Sequence, residues 1–299
     1  MKLIIFFIIF TSFVGAKNVD IITNWPLSDM EIEIPENNIQ VFNSSDNNYQ
    51  FSYDSDKVIV MNPCVDIGLL HAIPKEKLVL FTWEPDGASS YYCEAFDRVY
   101  TFNDDLVDGK KYFKYHYPSL HPMISDLVSF EQRKLCTMIV ANWRPERVKL
   151  VRFFERKALD DFEFYGQRSF QPGHRLYRGK IPGCVHFGSE KISTLQKYRF
   201  AICFENSQIN GYITEKIFGC FTAGCIPIYL GAPNIEDYIP KNCFIDYRNF
   251  KSDDEMYQFI KHMSKEQYLQ YLDNIRSFLN SEKAQVFSLN IFYKVISDI

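Results

Sequence analysis

Apolar residues fall in short bursts through the first hundred positions and in longer, helically spaced sets beyond. The runs 19–22, 58–61, 77–82 and 98–102 are strand-like and are separated by turn signals, with a helical candidate over 65–72. Residues 43–56 are dense in Asn, Asp and Ser and predict a loop. After the Pro-bounded loop 118–122 the pattern changes. Residues 135–141 predict a buried strand, and a helix over 145–159 follows, with Pro145 in its first turn and Val148, Val151 and Phe154 at helical spacing. Strand 162–166, helix 189–198, strand 200–204, helix 214–223 closed by Gly224, and strand 226–230 continue the alternation. Ser252-x-x-Glu255 and Ser264-x-x-Gln267 are capping-box signatures that open two further helices.

Alternation of strand and helix predicts a parallel sheet and an α/β class. The organisation this gives is a segment 1–16, a first half over 17–130, a second over 131–285, and a tail over 286–299. Two doubly wound halves facing one another place a ligand in the crevice at the carboxyl ends of the strands.

With 299 residues, 46% hydrophobic and 23% charged, the chain has ordinary globular composition, and its net charge of -4 argues against a nucleic-acid partner. Anionic ligands must then be met by local cations. Met1 and Lys2 precede an apolar run to Val14 and then Gly15-Ala16-Lys17, the form of a secretory leader. The alternative is a short membrane anchor, so the predicted location is the secretory pathway or a membrane surface. Eight cysteines, an even count, fit an exported chain in which some are paired. Cys203, Cys220 and Cys225 sit in apolar runs where buried thiols are the alternative, and no C-x-x-C spacing supports zinc. Asn43-Ser44-Ser45 is a glycosylation acceptor.

The stretch 204–231, FENSQINGYITEKIFGCFTAGCIPIYLG, carries the most chemistry. Glu205, Asn206 and Ser207 leave the carboxyl end of a buried strand, where side chains reach the hydroxyls of a bound sugar. Thr214 begins the next helix, so Glu215 and Lys216 lie among its free N–H groups. A lysine there opposes the helix dipole unless it shares an anion with the terminus, which makes this a ready diphosphate site. An exposed Glu-Lys pair on a helix is the plainer alternative.

FENSQ-x-x-GY-x-TEK followed by IPIYLG resembles the donor-binding signature of the α1,3-fucosyltransferases, glycosyltransferase family 10. TWEP at 82–85, ANWRPERVKLV at 141–151 and FYGQR at 164–168 resemble the same family in order. The resemblance implies a GT-B type fold, two Rossmann-like domains facing a central cleft, with 17–130 on the acceptor side and 131–285 binding GDP-fucose. It implies that Glu84 is the general base, half-buried with a raised pKa. Arg147, flanked by Arg144 and Lys149, matches a diphosphate ligand, and Lys216 matches a second. Glu215 and Asn206 match ribose contacts, Tyr212 lines the donor pocket, and Glu205 lies nearest the fucose or the acceptor; Thr214 supplies the helix terminus. The reaction implied is a single displacement with inversion that moves L-fucose to a hydroxyl of an N-acetylglucosamine-containing oligosaccharide or glycoprotein. No metal or other cofactor is required, and a eukaryotic host would place the enzyme in the Golgi lumen.

His116-Tyr117-Pro118 departs from the family pattern, and 170–188 has no clear counterpart. Its His174, Arg175, Arg178, Lys180 and His186 either close over phosphates or form a solvated excursion. One rival is a metal-dependent glycosyltransferase using another sugar nucleotide through Asp54-Ser55-Asp56, although that motif sits in a polar loop. Another is a non-catalytic relative that binds glycan or nucleotide. No G-x-G-x-x-G supports a dehydrogenase, and the six histidines show no metal spacing.

Overall fold

The computed structural model describes residues 17–24, 38–44, 54–85, 87–166, 175–181 and 188–299. The leader, Ser45 of the acceptor sequon, His174 and His186 lie outside the described residues. The chain divides into two compact units, residues 1–81 with 88–97, and residues 82–87 with 98–299. The boundary expected at 130 therefore falls inside the second unit.

In the first unit the parallel strands β1 (Asn18–Thr23), β2 (Asn38–Asn43), β3 (Lys57–Met61) and β4 (Leu78–Thr82) run in the order β2-β1-β3-β4. Strand β4 is buried along its whole length, as a continuous apolar run in a parallel sheet requires. Helix α1 (Ile67–Leu70) is a single turn capped by Asp66, shorter than the expected 65–72. Ile73 precedes Pro74 and cannot stay helical. Helix α2 (Ser90–Glu94), capped by Ser89, was not expected, and neither was β2, whose alternation is hidden among Asn and Gln.

The second unit opens with a parallel pair, β5 (Arg98–Thr101) and β6 (Tyr112–Lys114). A five-stranded parallel sheet follows, in the order β11-β10-β9-β7-β8. Its members are β7 (Lys134–Ile139), β8 (Phe162–Tyr165), β9 (Tyr198–Phe204), β10 (Ile226–Leu230) and β11 (Ile245–Asp246). Helices α3 (Pro145–Lys157), α4 (Ser189–Leu195) and α5 (Glu215–Thr222) cross between strands. From β7 the chain moves to β8 on one side, then returns past β7 to β9 and continues the other way. The direction of winding switches between β7 and β9, so the crevice of this unit lies beyond their carboxyl ends.

Helices α6 (Asp253–Lys261) and α7 (Lys265–Leu279) close the unit. Ser264 and Gln267 form both halves of the expected capping box. At α6, Ser252 accepts from the Glu255 N–H, but the Glu255 carboxylate accepts from the Lys251 N–H instead. The expected tail contains a helix, α8 (Leu289–Ser297), that buries Phe292 and Ile296. The seven described cysteines are free thiols, six of them buried, so the pairing expected of an exported chain is absent among the described residues.

Candidate functional site

Arg147 lies in the first turn of α3, which starts where Pro145 fixes the backbone after β7. It is only 5% exposed. Its guanidinium donates to the carbonyls of Asn142 and Phe204 and, at 3.1 Å, to Asn206 Oδ1, tying the loops after β7 and β9 together. Burial pulls the Arg147 pKa down, against the nearby Glu205 charge. The neighbouring Arg144 lines the crevice, whereas Lys149 turns to Asp253 at 3.1 Å. A cavity of about 250 Å³ opens here, lined by Arg144, Pro145, Arg147, Phe204, Asn206 and Leu230 among others.

The N-terminus of α5 carries the expected Thr214 cap, with the hydroxyl accepting from the Lys216 N–H. Glu205 also reaches it. Its carboxylate accepts from the Thr214 N–H at 2.9 Å, lies 2.8 and 2.9 Å from the Thr214 hydroxyl, and pairs with Lys216 Nζ at 3.0 Å. Burial lowers the Lys216 pKa, but the charges of Glu205 and Glu215 outweigh it and hold the ammonium above its usual range. Glu215 sits 3.8 Å from both Lys216 and Lys191.

Tyr212 is 2% exposed and packs on Phe102 at 4.7 Å and edge-on to Tyr117 at 6.0 Å. Its phenol is pushed up by burial, then by the charges of Glu205, Glu84 and Glu215. The Glu84 charge likewise raises Tyr115 and Tyr117, both dominated by burial. Glu84 is thus within electrostatic reach of the same tyrosines, but it is exposed rather than half-buried as expected. The cause is the segment before it. Trp83 is buried, stacked on Tyr115 at 5.4 Å and edge-on to Tyr117 at 5.0 Å, while those tyrosines donate to the carbonyls of Thr82 and Trp83. With Trp83 held inward, the extended chain turns its next side chain outward.

A carboxylate that sequence reading passed over anchors the Tyr212 loop. Asp104 pairs with Lys114 at 2.6 Å and accepts from Asn234 and Tyr238, each at 2.8 Å, while Asn234 accepts from the Gly211 N–H at 2.9 Å. These partners are up to 134 residues apart, and only the Asn-Asp-Asp turn at 103–105 marked the place. His116 stacks edge-on against Tyr238 and Phe287, at 5.3 and 5.0 Å, one strand-end from this node. Asp54-Ser55-Asp56 forms the turn into β3, where Asp56 accepts from the Asn18 N–H. Among the described residues no group of three or more His, Cys, Asp or Glu is arranged to hold a metal ion.

A parallel sheet wound 2-1-3-4-5, with an arginine and a lysine near its switch point, is a doubly wound α/β architecture, and solved structures of the GT-B class share the fold. The chain shares the fold of an α1,3-fucosyltransferase crystallised with GDP-fucose, at a TM-score of 0.60 and 18% identity over 92% of this chain and 93% of that one. A model of the C-terminal part of glycosyltransferase family 10 (fucosyltransferase) matches residues 130–291, more than half of the chain. The chain belongs to that family.

Among curated relatives, mouse 4-galactosyl-N-acetylglucosaminide 3-alpha-L-fucosyltransferase 9 is 30% identical over 164 residues, 54% of this chain and 42% of that protein. Alpha-(1,3)-fucosyltransferase FucT of Helicobacter pylori is 43% identical over 85 residues, 27% of this chain and 18% of its own length. The chain thus spans less than half the length of these relatives. Both matches agree with the resemblance read from the motifs.

Proposed function

We propose that this protein transfers L-fucose from GDP-fucose to a hydroxyl of an N-acetylglucosamine-containing glycan, in α1,3 linkage and with inversion at the anomeric carbon. The observation that carries the reading is the convergence of Arg147, Asn206 and Lys216 on the carboxyl ends of β7 and β9 in a family 10 chain. The guanidinium is buried and preorganised, so it can meet diphosphate charge without reorganising.

In this reading Arg147 and Lys216 bind the diphosphate, and Asn206 and Glu215 bind the ribose. Tyr212 walls the donor pocket. Glu84 accepts the proton of the acceptor hydroxyl as that oxygen attacks the anomeric carbon and the bond from that carbon to the diphosphate oxygen breaks. The exposure of Glu84 fits a base that must meet an incoming acceptor, which then desolvates it. The cations stabilise the charge growing on the departing GDP, each by about 3–4 kcal/mol, or on the order of 10²–10³ in rate. No step requires a metal. The apolar segment 3–14 directs the chain to a secretory lumen or holds it at a membrane. Among the described residues no helix is long and apolar enough to cross a membrane.

The test is acceptor-dependent release of GDP from GDP-fucose in the presence of EDTA, for wild type and Glu84→Ala, across N-acetyllactosamine and chitobiose-core acceptors. Turnover by wild type and its loss in the variant are expected. Turnover that EDTA abolishes would favour a metal-dependent mechanism, and GDP binding with no turnover on any acceptor would favour a non-catalytic relative.

A further inference from the structure

Glu205 is among the residues that line the crevice, but its carboxylate is spent on the start of α5. Its side chain is fully withdrawn from solvent, and its backbone N–H is fixed to the Leu230 carbonyl at 2.8 Å at the end of β10. The carboxylate takes the Thr214 N–H at the start of α5, the Thr214 hydroxyl and the Lys216 ammonium, while the ammonium also donates to the Thr214 hydroxyl at 2.9 Å. These are the groups with which a helix terminus and its lysine would hold an external anion. Lys216 is 27% exposed in its side chain, so it reaches from the buried carboxylate toward solvent. A protein anion therefore already holds the cation that the donor reading assigns to the diphosphate.

We propose that Glu205 is a positioning residue that competes with the bound diphosphate for Lys216, so that the lysine grips the substrate weakly and the departing nucleotide strongly. This rests on the GDP-fucose reading. Before transfer, Lys216 divides its hydrogen bonds between Glu205 and the diphosphate. As negative charge accumulates on the leaving oxygen, the balance moves toward the nucleotide, and the gain is realised in the transition state rather than in the ground state. After transfer the buried Glu205 carboxylate still competes for the ammonium, which limits how tightly the more highly charged GDP is held and lets it leave. A carboxylate with a merely structural role predicts the opposite response to its removal.

The decisive variant is Glu205→Gln, which keeps the side-chain volume and an acceptor for the Thr214 N–H but deletes the charge. Binding of GDP and of inorganic pyrophosphate is measured by calorimetry, alongside kcat and KM. Both ligands are expected to bind about tenfold more tightly, a change of about 1.4 kcal/mol, while kcat falls. Unchanged or weaker binding of GDP by the variant, with wild type binding GDP normally, overturns the proposal. Failure of wild type to bind GDP overturns the donor reading instead. If Glu205→Gln does not fold, Glu205→Asp withdraws the carboxylate by one methylene and is expected to shift both affinities in the same direction by less; weaker or unchanged binding there likewise overturns the proposal.

Discussion

Arg147 Nη2 donates to Asn206 Oδ1 at 3.1 Å, joining the first turn of α3 to the loop that leaves β9 across the point where the sheet reverses its winding. The same guanidinium satisfies the carbonyls of Asn142 and Phe204. One side chain thus fixes the floor of the crevice and presents a positive charge to it. A planar fork makes these bonds simultaneously, and an ammonium cannot.

Arg147→Lys keeps the charge but loses that fork. It is expected to lower stability by about 1–3 kcal/mol through the buried carbonyls it leaves unpaired and to reduce turnover by about tenfold or more. Thermal melts with steady-state kinetics measure both; wild-type turnover in the variant would remove Arg147 from the site.

Gly211 has φ +79°, and a Cβ there would collide with the Phe102 carbonyl and the Lys114–Asp104 pair. Gly109 has φ +68° but open space around it. Gly109→Ala should therefore cost only backbone strain, about 1 kcal/mol. Gly211→Ala adds a steric clash at the node that anchors Tyr212 and should cost at least twice as much, with loss of GDP affinity. Equal melting shifts for the two variants would contradict this account.

Asp104→Asn removes the charge facing Lys114 while leaving the shape of the node. Burial lowers the Lys114 pKa, against the opposing pull of Asp104, and without that carboxylate the part-buried ammonium keeps the Phe102 carbonyl but no counter-charge. The expected loss is about 2–3 kcal/mol. Lys114→Met in the same background should recover part of it, which a double-mutant cycle by chemical denaturation would reveal.

His116 titrates at about 4, because burial and then the Lys114 charge disfavour its cation more than Asp104 favours it. The folded pKa lies below the unfolded value of about 6.5. Above that both states are neutral and the residue contributes nothing to pH dependence. As pH falls from about 6.5 to 4 the unfolded chain takes a proton that the folded one refuses, so stability drops by up to about 3 kcal/mol. His116→Phe keeps an aromatic ring against Tyr238 and Phe287, and should lose less melting temperature between pH 7 and pH 4.5 than wild type does.

The sequence alone determined the parts of this protein whose signals are local. Alternating strand and helix from residue 135 onward announced a parallel sheet, Pro145 and Gly224 marked helix ends, and Ser264 with Gln267 formed the capping box their spacing encodes. Asn206, Thr214 and Lys216 were singled out because a strand end and a helix start lie within a few residues of each in the chain, whereas Arg147 was singled out by the resemblance of its motif. Tertiary structure decided the rest. The short strands β6 and β11 exist through pairing rather than periodicity. Asp104 meets Asn234 across 130 residues, and no sequence period spans that distance. Whether a carboxylate at the end of β9 faces solvent, substrate or a helix terminus depends on the register of β9 beside β10 and on where α5 begins. Packing placed Glu205 under Lys216 and turned Glu84 outward, because a side chain's direction at a strand end is fixed by the neighbours that hold the backbone, and those come from elsewhere in the fold.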